Sequence, residues 1–210
     1  MTRIKICGIR RIEDAMLAAE LGASALGFVF WPSSPRFLDP FHARPIVASL
    51  PPFVTTVGVF VDQPVSYVLG VAQLLNLGAV QLHGEESLEP YARGPQRVIK
   101  SVGVVDGRDC LPAVRAVPAR ATVLLDAHDA VTRGGTGRRI DWQQAAAAAR
   151  VRPVILSGGL NADNVRDAVD QVRPYAVDLS SGVESSPGVK DPVRLRALFA
   201  ALGRHEANTL

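Results

Sequence analysis

The chain has few cysteines, no long apolar run at its start and no block of charges of one sign. Its two cysteines, Cys7 and Cys110, are too few and too far apart for a disulfide framework or a cysteine metal cluster. A reducing compartment, the cytoplasm, is therefore expected. The charged beginning, MTRIKICGIR, predicts neither a signal peptide nor a membrane span. A formal net charge of +3, spread along the chain, gives little support for nucleic-acid binding.

Short runs rich in Val, Ile and Leu recur eight times along the 210 residues and alternate with amphipathic or Ala-rich stretches. The runs predict strands, and the stretches between them predict helices. The predicted strands are 4–7, 25–30, 55–61, 79–83, 98–101, 121–126, 153–157 and 175–180. The clearest predicted helices are 12–21, 65–77, 141–150, 162–172 and 192–202, and weaker ones lie near 40–50 and 86–93.

Alternation of strands and helices predicts parallel pairing through right-handed crossovers, and strands without clean polar alternation predict burial on both faces. Eight such units favour a single α/β domain of the (β/α)8 type, a TIM barrel, over residues 1–203. The polar tail, 204–210, is expected to be mobile. A doubly wound open sheet is the competing fold, but polar residues follow the strands repeatedly, as at the mouth of a closed barrel.

Polar or reactive residues stand at the ends of five of the eight predicted strands. The C-terminal ends of all the strands open onto the same face of a barrel. These residues are therefore expected to converge there although they are far apart in sequence. They are Cys7, His83, Asp126, Ser157 and Ser180.

Glycine-containing turns follow predicted strands six, seven and eight. Glycine leaves backbone N–H groups accessible, and a following helix N-terminus favours a phosphate dianion. One such turn alone is more often only a turn, but these three share the part of a barrel where phosphate commonly binds. The predicted phosphate-binding residues are Gly135, Thr136, Gly137, Ser157, Gly158, Gly159, Ser180, Ser181 and Gly182.

Taken in order, the motifs at these strand ends resemble those of the phosphoribosylanthranilate isomerases. They are KICG at 5–8, GFVF at 27–30, SPR at 34–36, VGVF at 57–60, QLHG at 81–84, LD at 125–126, GGTG at 134–137, SGGL at 157–160 and DLSSGVE at 178–184. The resemblance extends to Lys190-Asp191, nearly the whole chain. It implies the Amadori rearrangement of N-(5-phosphoribosyl)anthranilate to 1-(2-carboxyphenylamino)-1-deoxyribulose 5-phosphate in tryptophan biosynthesis, without a metal or an organic cofactor.

The rearrangement needs a proton for the furanose ring oxygen and a base for the proton on C2 of the sugar. The resemblance assigns the base to Cys7 and the acid to Asp126, and both can lie on one barrel face. A free thiol titrates near pH ~8.5, so Cys7 needs nearby positive charge, for which Lys5 on the same side of the strand is a candidate. Asp126 must be protonated, which requires desolvation or a nearby anion. The alternatives are a small buried filler at Cys7 and a loop-bracing carboxylate at Asp126.

Four further residues are expected to contact the substrate. Following the resemblance, Arg36 binds the anthranilate carboxylate, and its guanidinium suits a bidentate pair. Gln81 and His83 contact the sugar hydroxyls or position the acid, and Asp178 contacts the anilino nitrogen. Solvated or structural roles remain open for each of these residues.

Other functions remain open. A histidine-pathway type or dual-specificity phosphosugar isomerase would catalyse the same chemistry, and a non-catalytic barrel could bind a phosphorylated metabolite. A metal-dependent epimerase is disfavoured because His83 has no second histidine at a strand end. The expected partner is a small phosphoribosyl substrate, with no nucleic acid and no membrane, and the chain is a monomer or a homodimer.

Overall fold

Eight parallel strands close into a barrel in the computed structural model, which describes residues 2–105, 107–127 and 140–203. Each strand pairs with the next, and β8 pairs with β1 through the partners Lys5 and Asp178. The predicted barrel is therefore confirmed and the open sheet is excluded. The strands are β1 Arg3–Cys7, β2 Ala25–Val29, β3 Thr55–Phe60, β4 Ala79–Leu82, β5 Arg97–Val104, β6 Thr122–Ala127, β7 Val154–Leu156 and β8 Ala176–Leu179.

Seven helices lie among the described residues, outside the barrel. They are α1 Ile12–Glu20, α2 Pro40–Ala48, α3 Val65–Leu74, α4 Leu111–Ala116, α5 Trp142–Val151, α6 Val165–Val172 and α7 Pro192–Ala201. A hairpin of β9 Glu184–Ser186 and β10 Val189–Lys190 precedes α7. Within this described part of the chain, no helix is long and apolar enough to cross a membrane.

The helix expected near 86–93 is wrong. Between β4 and β5 the chain forms only a single 3-10 turn, Glu89–Tyr91. Pro90 has no N–H to donate and disfavours a helical conformation in the residue before it. Gly94 and Pro95 follow at once, so an α-helix cannot extend far in either direction.

Aspartates fix the starts of three helices. Asp39 accepts a hydrogen bond from the Phe41 N–H at the beginning of α2. Asp141 caps α5 and Asp191 caps α7 in the same way, each accepting from two backbone N–H groups. Each cap stabilises its helix by about 1 kcal/mol, because it satisfies N–H groups that have no partner within the helix.

The barrel is packed on both faces of its strands. Outside, the strands and helices share one large apolar core. Inside lies a layer formed by Ala25, Val57, Ala79, Ile99, Leu124, Ile155 and Ala176. Two residues farther along β4, β6 and β8, on the same face of each strand, are Gln81, Asp126 and Asp178. The interior is therefore apolar below. Toward the C-terminal ends it is polar on β4, β6 and β8, whereas Val29 and Val59 form an apolar cluster with Cys7.

Candidate active site

The upper layer of the barrel interior contains the two candidate catalytic side chains. Cys7 is the last residue of β1, and Asp126 lies near the end of β6. Both are buried, with exposed fractions of 8% and 6%. Because β7 and β8 lie between β6 and β1 in the closed sheet, the two side chains stand three strands apart around the same mouth of the barrel.

A buried ion pair lies beside the Cys7 thiol. The ammonium of Lys5 donates to Asp178 Oδ1 at 2.8 Å, joining β1 to β8. Burial raises the pKa of the Cys7 thiol, and the positive charge of Lys5 offsets only part of that effect. Burial would lower the pKa of Lys5, but Asp178 and Cys7 together raise it, so Lys5 is charged. The resting thiol is therefore protonated and faces a permanent cation.

On β2, the strand next to β1, Gly27 presents bare backbone to the Cys7 thiol. A β-carbon at this position would lie 2.8 Å from Cys7 Sγ and 3.1 Å from Lys5 Cε. Such contacts are closer than carbon and sulfur tolerate. Glycine on β2 therefore makes the space that Cys7 and Lys5 occupy.

Asp126 is in contact with a histidine on the neighbouring side of the barrel. His83 Nε2 lies 3.2 Å from Asp126 Oδ2 and 3.3 Å from Ser101 Oγ. The other ring nitrogen, Nδ1, lies 3.1 Å from Gln81 Nε2. His83 thus connects Gln81 to the Asp126 carboxyl group. Ser101, on β5, is a site residue that the sequence did not indicate.

The loop that follows His83 is braced from both sides. Glu86 accepts hydrogen bonds from the backbone N–H groups of Asp62 and Gly84 at 2.8 and 2.9 Å. Lys100, on β5, pairs with Glu86 at 3.1 Å and also donates to the Gly84 carbonyl. These contacts tie the ends of β3, β4 and β5 together, so the backbone that carries His83 is fixed.

The turns after β7 and β8 lie against each other, as the phosphate prediction requires. Gly158 and Gly159 have positive φ values of 91° and 63°. A β-carbon at Gly182 would collide with the Leu160 carbonyl oxygen, so glycine lets the two turns meet. Ser180 Oγ is buried near Gly8, and it has no hydrogen-bond partner among the described residues.

The helix N-termini that were expected directly after the glycine turns are found after only one of the two described turns. A 3-10 turn, Ser181–Val183, begins directly after Ser180, whereas α6 begins only at Val165, well beyond Ser157, Gly158 and Gly159. The predicted phosphate contacts Gly135, Thr136 and Gly137 lie outside the described residues.

Arg36 is held by a partner that the sequence did not indicate. Its guanidinium forms a bidentate pair with Glu184, with Nη2 2.7 Å from Oε2. Glu184 also pairs with the buried Lys190. The only sequence signal for this cluster is the Pro187-Gly188 turn, which is typical of a hairpin and places residues 184 and 190 opposite each other.

Comparison with known proteins connects this geometry to one family. The family model described as N-(5'phosphoribosyl)anthranilate (PRA) isomerase matches residues 4–201. A relative named N-(5'-phosphoribosyl)anthranilate isomerase, from Geobacter metallireducens, is 50% identical over 198 residues, which are 93% of this chain and 96% of the relative.

Solved structures with the same fold carry the same description. A phosphoribosyl anthranilate isomerase in complex with reduced 1-(o-carboxyphenylamino)-1-deoxyribulose 5-phosphate is 44% identical, with a TM-score of 0.85 over 97% of this chain and 100% of that one. A structure described as mutually generated monomers of the dimeric enzyme from Thermotoga maritima is 41% identical, with a TM-score of 0.85, and covers 97% of this chain and 99% of that one.

Proposed function

Since this chain belongs to the N-(5'-phosphoribosyl)anthranilate isomerase family and is an isomerase of tryptophan biosynthesis, we propose that Cys7 and Asp126 carry out its proton transfers. Asp126 is the general acid and Cys7 is the general base. The observation that carries the proposal is their common position at the mouth of the barrel, each beside a side chain suited to control it. Lys5 faces the thiol, and His83 contacts the carboxyl group.

The first step opens the sugar ring. Asp126 donates a proton to the furanose ring oxygen while the lone pair of the anilino nitrogen forms a double bond to C1. The C1–O bond breaks, and the product is a protonated Schiff base that acidifies the proton on C2. The substrate itself is therefore the electron sink.

The second step removes the C2 proton. The Cys7 thiolate accepts it, the electrons of the C2–H bond form the C1–C2 double bond, and the iminium nitrogen becomes neutral. The resulting enolamine then tautomerises to the aminoketone, as the C2 hydroxyl releases a proton and C1 takes one up. Cys7 loses its proton again and Asp126 regains one, so that no atom is gained or lost overall. A raised Cys7 pKa makes a thiolate scarce at neutral pH but makes it a stronger base once it forms beside Lys5.

Other groups hold the substrate across the mouth. The turns after β7 and β8, with Ser157, Gly158, Gly159, Ser180, Ser181 and Gly182, bind the phosphate through backbone N–H groups and the Ser180 hydroxyl, which has no partner in the described part of the chain. Arg36 binds the anthranilate carboxylate. Asp178, paired with Lys5, lies within the same layer and contacts the anilino nitrogen.

The test is turnover of N-(5'-phosphoribosyl)anthranilate by the purified protein, followed as loss of anthranilate fluorescence. Cys7→Ala and Asp126→Asn should each lower kcat by at least about 100-fold, the usual contribution of a positioned acid or base. Cys110→Ala is the matched control, because this second buried cysteine lies at the start of α4. Full activity in Cys7→Ala would remove the base from the proposal. Binding of the reduced product without any turnover by the wild type would favour a non-catalytic binding barrel.

The proposal also covers the oligomeric state and the cellular location of the protein. Because a solved relative is described as dimeric, we propose that the chain forms a homodimer of single-domain barrels, each comprising residues 1–203. Both cysteines are free thiols, which supports a location in the reducing cytoplasm.

A further inference from the structure

Glu184 joins two cations at the edge of the barrel mouth. Its carboxylate accepts hydrogen bonds from Arg36 Nε at 3.0 and 3.1 Å and from Nη2 at 2.7 Å. Lys190 Nζ donates to Glu184 Oε1 at 2.7 Å. The side chains of all three residues are at most 11% exposed. The cluster is thus a buried Arg–Glu–Lys triad.

The pairing uses only one edge of the guanidinium. A guanidinium offers a side edge, formed by Nε and one terminal nitrogen, and an end edge, formed by both terminal nitrogens. Glu184 occupies the side edge of Arg36. Among the residues that the structure describes, Nη1 has no hydrogen-bond partner. The end edge therefore remains available for a second carboxylate.

Arg36 is also held in contact with the catalytic end of β1. A β-carbon at Gly8 would lie 2.6 Å from Arg36 Cδ and 3.2 Å from Ser180 Oγ, so the arginine stem packs on the bare backbone next to Cys7. Gly8 has a positive φ of 77°, which favours glycine there for a second reason.

Glu184 itself cannot rotate away without losing several contacts. Its Oε1 also accepts from the Gly188 N–H at 3.2 Å. Lys190 in turn donates to the Cys7 carbonyl at 2.6 Å, which anchors the triad to β1. Burial alone would raise the pKa of Glu184, but Arg36 and Lys190 hold it below its ordinary value, so the carboxylate is charged.

Arg36 and Lys190 share one anion, so the triad carries an excess positive charge whenever Lys190 is protonated. Burial lowers the pKa of Lys190, and Glu184 opposes that shift. The neighbouring acidic side chains are already paired, Asp14 with Arg11 and Asp178 with Lys5. A buried excess charge favours a ligand of opposite charge that also satisfies the free N–H groups. A planar carboxylate fits the end edge of Arg36 in both respects.

We propose that Glu184 is a specificity-determining positioning residue, which turns the end edge of Arg36 toward the substrate and so selects an N-phosphoribosyl amine with a carboxylate beside the nitrogen. This inference rests on the proposed function, because it takes Arg36 to be the carboxylate-binding group. Lys190 supports the selection by fixing Glu184 to the backbone of Cys7.

The experiment compares two ligands that differ only in the carboxylate. One is the reduced product, reduced 1-(o-carboxyphenylamino)-1-deoxyribulose 5-phosphate, and the other is its phenylamino counterpart. Calorimetry measures the Kd of each for the wild type and for Glu184→Gln, which keeps the size of the side chain and removes its charge. The variant should weaken binding of the carboxylate ligand by at least about tenfold and change binding of the counterpart by less than about threefold, since an arginine–carboxylate pair depends on a fixed geometry.

Steady-state kinetics provides the second measurement. With N-(5'-phosphoribosyl)anthranilate, Glu184→Gln should raise KM more than it lowers kcat, whereas N-(5'-phosphoribosyl)aniline should show no such change. Glu20→Gln, an exposed glutamate at the end of α1, is the control. Glu184→Asp keeps the charge but shortens the reach, so the proposal expects it to resemble Glu184→Gln.

An equal loss of affinity for both ligands would show that Glu184 only supports the fold, and unchanged affinity for both would show that Arg36 is oriented without it. Either result overturns the inference. Inhibition by inorganic phosphate reports whether the phosphate site of each variant is intact. Failure of the proposed function is a different result, because it is the absence of turnover in the wild type.

Discussion

His83 links Gln81 to Asp126, with Nδ1 3.1 Å from the amide nitrogen and Nε2 3.2 Å from the carboxyl oxygen. With the amide nitrogen as donor, Nδ1 accepts and the Nε2–H donates to Asp126. Gln81 Oε1 is buried without a partner in the described part of the chain. A half-turn of the amide would let Oε1 accept from Nδ1–H, and Nε2 would then accept a proton from Asp126. The Gln81 amide can thus form a hydrogen bond with either tautomer of His83.

Removing His83 should impair the acid without preventing substrate binding. For His83→Asn we expect kcat to fall by about 10- to 100-fold and KM to change by less than about threefold, because Asp126 loses its orienting partner. Steady-state kinetics measures both parameters. His42→Asn, an exposed histidine in α2, is the control. A large rise in KM with unchanged kcat would mean that His83 binds the sugar instead.

Removing Lys5 should shift the activity to higher pH. Burial raises the pKa of Cys7 and Lys5 lowers it, so Lys5→Met raises this pKa further. The activity that appears as the thiol loses its proton should then appear at higher pH than in the wild type, and part of the loss at neutral pH should be recovered in alkali. The pH profile of kcat/KM is the measurement.

The double variant Lys5→Met/Asp178→Asn tests the cause of that shift. Asp178 raises the pKa of Cys7, so removing both charges should move the profile less than Lys5→Met alone. It also avoids an unpaired buried carboxylate, which would destabilise the fold. If the profile of Lys5→Met matches that of the wild type, Lys5 does not control the thiolate.

A methyl group at Gly27 should disturb the thiol directly. The new β-carbon in Gly27→Ala would lie 2.8 Å from Cys7 Sγ, so we expect kcat/KM to fall at least about tenfold and the stability to fall by about 1–3 kcal/mol. Gly70→Ala is the matched control, because no heavy atom lies within 4 Å of the added carbon in α3. It should keep full activity and gain about 0.5–1 kcal/mol of stability. Equal activity of the two variants would contradict the close packing at Cys7.

The proposed homodimer should depend on Phe53. This side chain is 95% exposed in the Pro51-Pro52-Phe53 segment before β3, at the end of the barrel opposite the active site. Phe53→Ser should raise the dimer dissociation constant by at least about tenfold, since a buried aromatic anchor often dominates an interface. Phe41→Ser, 71% exposed on α2, is the control. Light scattering measures the mass, and a monomeric wild type would refute the dimer.

The sequence predicted where the strands lie because barrel strands are buried on both faces, which leaves uninterrupted apolar runs. All eight predicted strands are present, although β5 continues to Val104 and several others are shorter than expected. The helix expected near 86–93 is absent because Pro90 disfavours a helix more strongly than the apolar spacing favours one. Of the candidate residues, Gln81, His83 and Asp126 form one series of contacts, and Asp178 pairs with Lys5 beside Cys7. Chain direction and strand periodicity place both groups at the barrel mouth.

By itself, therefore, the sequence determined the barrel, the family motifs and the strand ends at which reactive side chains stand. Only the tertiary structure decided which charges pair. Lys5 and Asp178 are 173 residues apart in sequence, and Arg36 and Glu184 are 148 residues apart. Such pairs depend on side chains that meet only when β8 closes against β1 and the hairpin folds over Arg36. Patterns of neighbouring residues do not predict contacts over such sequence separations. The partners of Cys7 and Arg36 are therefore identified only in the folded chain.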